Sequence, residues 1–326
     1  MKATVLSVLF LGFTFGLFAQ TDLKSELKAK QVTLPNGWKL SPHGTSIPLG
    51  DLPLHVVVSP NQKYLLVTNN GQSVQSLQLI DAASNTLLDT QELPKSWYGL
   101  KVAADNKTVF VSGGNDNCIL VFEIAAGKLV QKDKIPLTTD EKAVISPAGL
   151  EYDDAKSVLY VVTKENNSLY VLDAKTKAIL AVHALPAEAF TCVLDKKKEL
   201  LYISVWGARQ VLPYQVATQQ FLPAISVGDH PNEMLLTKNG KTMYVANGND
   251  NSVSVVDLVK NKEIEVLNAA LVPNALAGSS TNGLALSADE ERLYISNADN
   301  NALAVFEVEK PGQSKSLGFI PVRSEE

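Results

Sequence analysis

The sequence predicts an all-β fold, a β-propeller of four-stranded antiparallel blades. Three observations predict it. One strand pattern recurs six times, at intervals of 44, 50, 42, 42 and 50 residues. Each recurrence is flanked by turns rich in Asn, Gly and Asp. Helical periodicity is nearly absent, Leu23–Lys30 being the one short candidate.

The recurring strands are Lys63–Thr68, Lys107–Ser112, Ser157–Val162, Glu199–Ser204, Lys241–Ala246 and Glu291–Ser296, and each carries a large apolar or aromatic residue in fourth place: Leu66, Phe110, Tyr160, Tyr202, Tyr244 and Tyr294. Ten residues earlier stand Val56, Leu100, Leu150, Cys192, Met234 and Leu284; eight earlier stand Val58, Val102, Tyr152, Leu194, Leu236 and Leu286. Alternation of this kind describes a strand with one buried face. Turn residues such as Ser59-Pro60-Asn61 and Lys238-Asn239-Gly240 join it to the next strand as a hairpin. A third strand follows each time (Leu77–Ile80, Ile119–Phe122, Leu169–Leu172, Val211–Tyr214, Val253–Val256, Leu303–Phe306), and a second turn leads to a fourth. Four antiparallel strands in this span form one propeller blade. The repeats cover about 53–94, 97–137, 147–186, 189–228, 231–271 and 281–322. The stretch 31–50, with a turn at Pro35-Asn36-Gly37, reads as the outer strands of a closing blade, and 323–326 as a tail. Six complete repeats plus a partial seventh blade favour a seven-bladed ring, with a six-bladed ring as the alternative.

Composition narrows the function. The chain has 326 residues, 45% of them hydrophobic and 19% charged, which excludes collagen, coiled coil and wholesale disorder. A net charge of −5 and the lack of a basic block argue against nucleic acid as a partner. Two Cys and four His leave little material for a thiolate zinc site, an iron–sulfur cluster or several haems. Cys118 and Cys192 fall in non-adjacent repeats and are expected as free buried thiols. Residues 1–19 have the layout of a secretory signal: Met1-Lys2, an apolar run to Phe18, and a small residue at Ala19, where cleavage is expected. A polar segment, 20–30, follows. No second apolar run of membrane length exists, so the mature chain is expected to be exported, periplasmic or extracellular, monomeric and without a membrane span. Asn106-Lys107-Thr108 and Asn166-Asn167-Ser168 are glycosylation sequons in form.

The segments Tyr244–Asn247, Val67–Asn70 and Tyr294–Asn297 resemble the repeat of the YVTN family, which includes YncE-like propellers, and the resemblance spans roughly 30–322. Val67–Ser73 and Pro94–Trp97 are similar to a subgroup in which an exported YncE-like propeller precedes an alkaline-phosphatase-type phosphoesterase domain. The resemblance implies a recognition module without catalytic residues of its own, since the phosphoesterase domain has no counterpart in this sequence.

Repeat geometry places the loops entering each first strand, and those joining second to third strands, around one mouth of the ring, where propellers usually bind. The expected ligand-binding residues there are Trp97, Tyr98, Asn115, Asp116, Trp206, Arg209, His230, Asn232, Asn247, Asn249, Asp250, Asn282 and Asn297. Amides and aromatic rings suit a small polar ligand, a glycan or a protein surface, through hydrogen bonds and stacking. The blander reading of the Asn and Asp residues is that tight turns require positive φ. No cofactor is expected. Calcium is the one ion whose oxygen ligands the mouth offers, at Asp116, Asp250 and Asp299, although these come from separate repeats. A lactonase-like propeller hydrolase is the rival reading, with Glu165, Lys164, Arg209 and His230 as its acidic and basic groups. The longer intervals put extra residues at Lys132–Ile145 and Asn268–Ser280, both expected at the mouth.

Overall fold

A computed structural model describes residues 28–29, 31–33, 37, 39–272 and 275–322. The signal-like segment 1–19 and the tail 323–326 lie outside the described residues. A short hairpin, β1 (Val32–Thr33) and β2 (Lys39–Leu40), precedes the repeats. Six four-stranded antiparallel blades follow. Blade 1 is β3 (Pro53–Val58), β4 (Tyr64–Asn69), β5 (Ser76–Asp81) and β6 (Thr86–Glu92). Blade 2 is β7 (Leu100–Val102), β8 (Thr108–Ser112), β9 (Cys118–Ala125) and β10 (Lys128–Pro136). Blade 3 is β11 (Pro147–Asp153), β12 (Val158–Thr163), β13 (Ser168–Asp173) and β14 (Ile179–Ala184). In blade 4, β15 (Thr191–Asp195), β16 (Leu200–Val205) and β17 (Gln210–Gln215) are followed by a split outer strand, β18 (Gln220–Phe221) and β19 (Ile225–Ser226). Blade 5 is β20 (Pro231–Leu236), β21 (Thr242–Asn247), β22 (Ser252–Asp257) and β23 (Lys262–Asn268). Blade 6 is β24 (Thr281–Leu286), β25 (Arg292–Asn297), β26 (Ala302–Glu307) and β27 (Lys315–Pro321).

Strand order within each blade is the chain order, as hairpin connections dictate. Tyr294, in blade 6, is only half-buried and Phe110 is 3% exposed; the other predicted anchors, Leu66, Tyr160, Tyr202 and Tyr244, are each at most 1% exposed. They sit on the second strand, flanked on both sides within the blade, and pack against the next blade.

The apolar core is divided into seams between successive blades. Leu66 and Leu79 meet Leu100 and Val111; Phe110 and Ile119 meet Leu150 and Val161; Tyr160 and Val171 meet Cys192 and Ile203. Tyr202 and Val211 meet Met234 and Val245, and Tyr244 and Val255 meet Leu284 and Ile295. No such seam joins blade 6 to blade 1 among the described residues. Val56 and Val58 on β3 are each 52% exposed, whereas their counterparts Leu100, Val102 and Leu150 are 2–5% exposed. The stretch 41–50 crosses this side instead: His43 N–H donates to Pro321 O at 3.2 Å, and Gly50 N–H donates to Gln78 Oε1 at 3.1 Å.

The structure thus holds six complete blades, the alternative to the favoured seven, and the hairpin expected as the outer strands of a closing blade pairs only with itself among the described residues.

Candidate functional site

The loops leaving the second strands of blades 2 to 6 share a local device. The residue before the third strand takes a left-handed conformation at Asn117, Asn167, Arg209, Asn251 and Asn301, with φ between 46° and 53°. Asparagine suits this position because its side chain bonds nearby backbone. Asn117 Oδ1 accepts from Ile145 and Ser146 N–H at 3.0 Å, while its Nδ2 donates to Ala143 O at 2.7 Å. Asn251 repeats the arrangement on Gly278, Ser279 and Leu276. Both long insertions are thereby pinned to the mouth.

A polar cleft of about 510 Å³ opens at the mouth over blades 1 to 3. Its wall is the Trp97 ring, with Lys164 Nζ 5.1 Å from the ring centroid. Asn70, Gln72 and Gln75 line one side and Asn115, Ser146 and Glu165 the other. Asn115 Oδ1 accepts from Ser146 Oγ–H at 2.9 Å, and Lys164 lies 3.9 Å from Glu165. Of the expected residues, Trp97 and Asn115 belong here; Asp116 stands exposed beside them.

Over blades 4 and 5 a second group assembles. Trp206 packs edge-on against His230 at 4.0 Å. Arg209 lies 3.7 Å from Asp229 and 3.5 Å from Asp250, and Asn249 Nδ2 donates to Asp229 Oδ2 at 2.9 Å. Those bonds, the Asn249 amide first, hold the Asp229 carboxyl below the usual range. Arg209, His230, Asn249 and Asp250 are thus gathered around Asp229, with His230 Nδ1 3.1 Å from Asp229 Oδ1.

Three expected Asn residues are structural. Asn247 is fully buried and donates to Ser252 and Ser254 Oγ; Asn297 donates to Ala269 O and accepts from Thr281. Asn232 Nδ2 reaches Thr281 O at 3.5 Å. These residues hold neighbouring strands together just below the mouth. The Asn of the YVTN-like motif is a strand-end clamp, as Asn69 shows by the same bonds to Ser76 and Gln78.

Along the ring axis the structure assembles a group that the mouth pattern only half indicates. Tyr98 stacks on His55 at 4.0 Å and meets Phe190 at a tilt at 4.5 Å, joining blades 1, 2 and 4. His55 Nδ1–H donates to Tyr98 O at 2.8 Å, and burial pushes its pKa down to about 4, so the ring is neutral at pH 7. Tyr98 is 4% exposed, and burial plus the charge of Glu233 push its hydroxyl well above the ordinary value. Burial raises Glu233 to about 7 against the one N–H bond it accepts, from Leu284 at 3.1 Å. One layer down, Lys101 Nζ is 2.6 Å from Glu151. His55, Lys101, Glu151 and Glu233 lie outside the expected set. Their signal was alternation: residues adjacent to the Val56, Leu100, Leu150 and Met234 positions face the opposite way, toward the axis.

The sequons do not present free amides. Asn106 donates to Ala104 O and accepts from Asn61 N–H, and Asn166 donates to the Tyr170 hydroxyl. Among the described residues no three His, Cys, Asp or Glu side chains converge as a metal site, and no helix is long and apolar enough to cross a membrane. Cys118 and Cys192 are free and buried.

No curated protein sequence matches the chain. Among solved structures it is similar to a Lactobacillus plantarum protein (TM-score 0.70, 14% identity, covering 84% of this chain and 86% of that one). It is also similar to a candidate 6-phosphogluconolactonase of Bacteroides fragilis (0.68, 14%, 88% and 88%) and to the hydrazine synthase of Kuenenia stuttgartiensis (0.65, 14%, 86% and 90%). At such identities the likeness is one of fold. The profile of the family described as "Lactonase, 7-bladed beta-propeller" matches residues 192–325, so over blades 4 to 6 this β-propeller is similar to that family.

Proposed function

We propose that the chain is an exported, non-catalytic binding module of the YncE-like kind, taking a small polar ligand such as a glycan in the cleft over blades 1 to 3, and that it serves as the recognition half of a phosphoesterase. One observation carries the reading: an accessible Trp97 ring, with a cation over its face, stands in a polar cleft lined by side-chain amides. Sugars combine an apolar face with hydroxyls, which a ring plus amides recognises. Calcium has weaker support, because Asp250 is already tied to Arg209 and Asp229 N–H. Glycan-array screening followed by calorimetry tests the reading. A binder is expected whose affinity falls roughly tenfold or more in Trp97→Ala at unchanged melting temperature. Binding that is indifferent to Trp97 would sink it.

The match over 192–325 favours a second reading, a lactonase-like hydrolase. The residues first expected for it do not form one centre: Lys164 and Glu165 line the cleft, while Arg209 and His230 are engaged with Asp229. A screen of lactones and aryl phosphates decides between the two, and turnover lost in His230→Ala or Arg209→Ala supports the hydrolase.

A further inference from the structure

The axis of the ring is lined with acceptors and is short of donors. The Glu233 carboxylate meets no cationic side chain among the described residues and accepts one backbone N–H, that of Leu284. Asn232 and Asn282, one residue before Glu233 and Gly283, each bury a side-chain oxygen that has no hydrogen-bond partner. Asn232 itself is 8% exposed. His55 commits Nδ1–H to Tyr98 O, which leaves Nε2 of the neutral ring as an acceptor. Lys101, the cation of the innermost strands, is held by Glu151. Beside these acceptors stands the aromatic wall of His55, Tyr98 and Phe190.

Unpaired acceptors away from bulk water are costly, and a carboxylate is costlier than an amide. An anionic ligand would add to that cost. A cation with N–H groups would remove it, and its charge would also be stabilised on the face of a ring. His55, Phe190 and Glu233 are each only half-buried, so the group borders space open to solvent.

We propose that the axial channel is a second binding site, separate from the Trp97 cleft, for an organic cation bearing N–H donors, an ammonium or guanidinium compound, held by Glu233 beside the Tyr98–Phe190 wall. Such a ligand binds the ionised carboxylate, so binding releases a proton and strengthens as pH rises through about 7. The other titratable groups facing the axis are His55, Tyr98, Lys101 and Glu151; β15 and β24 add Thr191 and Gly283. His55 stays neutral across this range.

Calorimetric titration of the full chain with agmatine, at about pH 8 and about pH 6, tests the proposal, beside tetramethylammonium, which has charge but no N–H. Saturable binding of agmatine is expected, weaker by roughly tenfold at the lower pH and by at least that in Glu233→Gln, with tetramethylammonium similarly weaker. Phe190→Leu, which keeps the carboxylate, is expected to lose affinity several-fold and to retain the pH dependence, so the idea stays testable if Glu233→Gln fails to fold. Equal binding of tetramethylammonium, unchanged affinity in Glu233→Gln, or no saturation by about 10 mM agmatine would each overturn it. So would lactone hydrolysis lost in Glu233→Gln, which would make the carboxylate a general base.

Discussion

Glu233 shows how one residue's surroundings set a property of the fold. Burial raises its folded pKa from 4.5 to about 7, so the folded state prefers the protonated acid. Its contribution is fully present below the unfolded value, declines as pH rises from about 4.5, and is lost above about 7. Glu233→Gln is therefore expected to be more stable than the parent above neutral pH, by on the order of 1–3 kcal/mol, and nearly equal to it near pH 4. Urea melts at the two pH values check this. Asn251 illustrates the opposite case, a polar side chain fully used. It holds Gly278, Ser279 and Leu276 through three bonds while sitting at φ 50°. Asn251→Ala should cost about 2–4 kcal/mol, from lost bonds and a strained left-handed alanine. An equal melting temperature would show that the loop does not depend on it.

At the scale of elements, the innermost strands approach too closely for side chains at some points. A Cβ on Gly149 would lie 2.3 Å from Thr191 Cα, and one on Gly99 would lie 2.2 Å from Ala148 O. Both obstacles are backbone and cannot swing aside. Gly149→Ala should therefore lower stability by roughly 1–3 kcal/mol through a shift of blade 3 against blade 4, read as a lower melting temperature. The hairpins linking third to fourth strands carry another element-level device. Asp81, Asp173 and Asp257 each cap their own turn by accepting backbone N–H groups, and these bonds hold the carboxyls below their ordinary value. Depressed acids contribute stability above the unfolded pKa and lose it as pH falls through the folded one. Acid unfolding should begin in these turns below about pH 4, in the opposite direction from the Glu233 effect.

For the whole molecule, the seams decide where the ring is weakest. Blades 2 to 5 are each packed on both faces, whereas blades 1 and 6 each share one apolar seam. In a repeat architecture, stability is close to a sum of unit and interface contributions. Amides in β3 and β4 and in β25 to β27 should thus exchange with solvent faster than those of β12 and β16, in native-state hydrogen exchange. Uniform protection around the ring would mean that the stretch 41–50 closes it as firmly as a blade does.

Much of this was legible in the sequence. Period-two alternation and a recurring anchor determined the blade, its strand order and the burial of Tyr160, Tyr202 and Tyr244, because side-chain direction along a strand depends only on local geometry. The turn residues likewise marked the mouth, and Trp97 and Asn115 with it. The sequence alone could not separate an Asn that clamps strands, as Asn247 does, from one that lines a cleft, since both occupy similar turn positions and differ only in what lies opposite. Nor could it bring His55, Tyr98 and Phe190 into one aromatic cluster or leave Glu233 without a cation among the described residues, because those contacts join residues far apart in the chain. Whether six blades meet is a matter of the same kind: each repeat specifies its own sheet, but only the packing of faces around the axis decides which of them finds a partner.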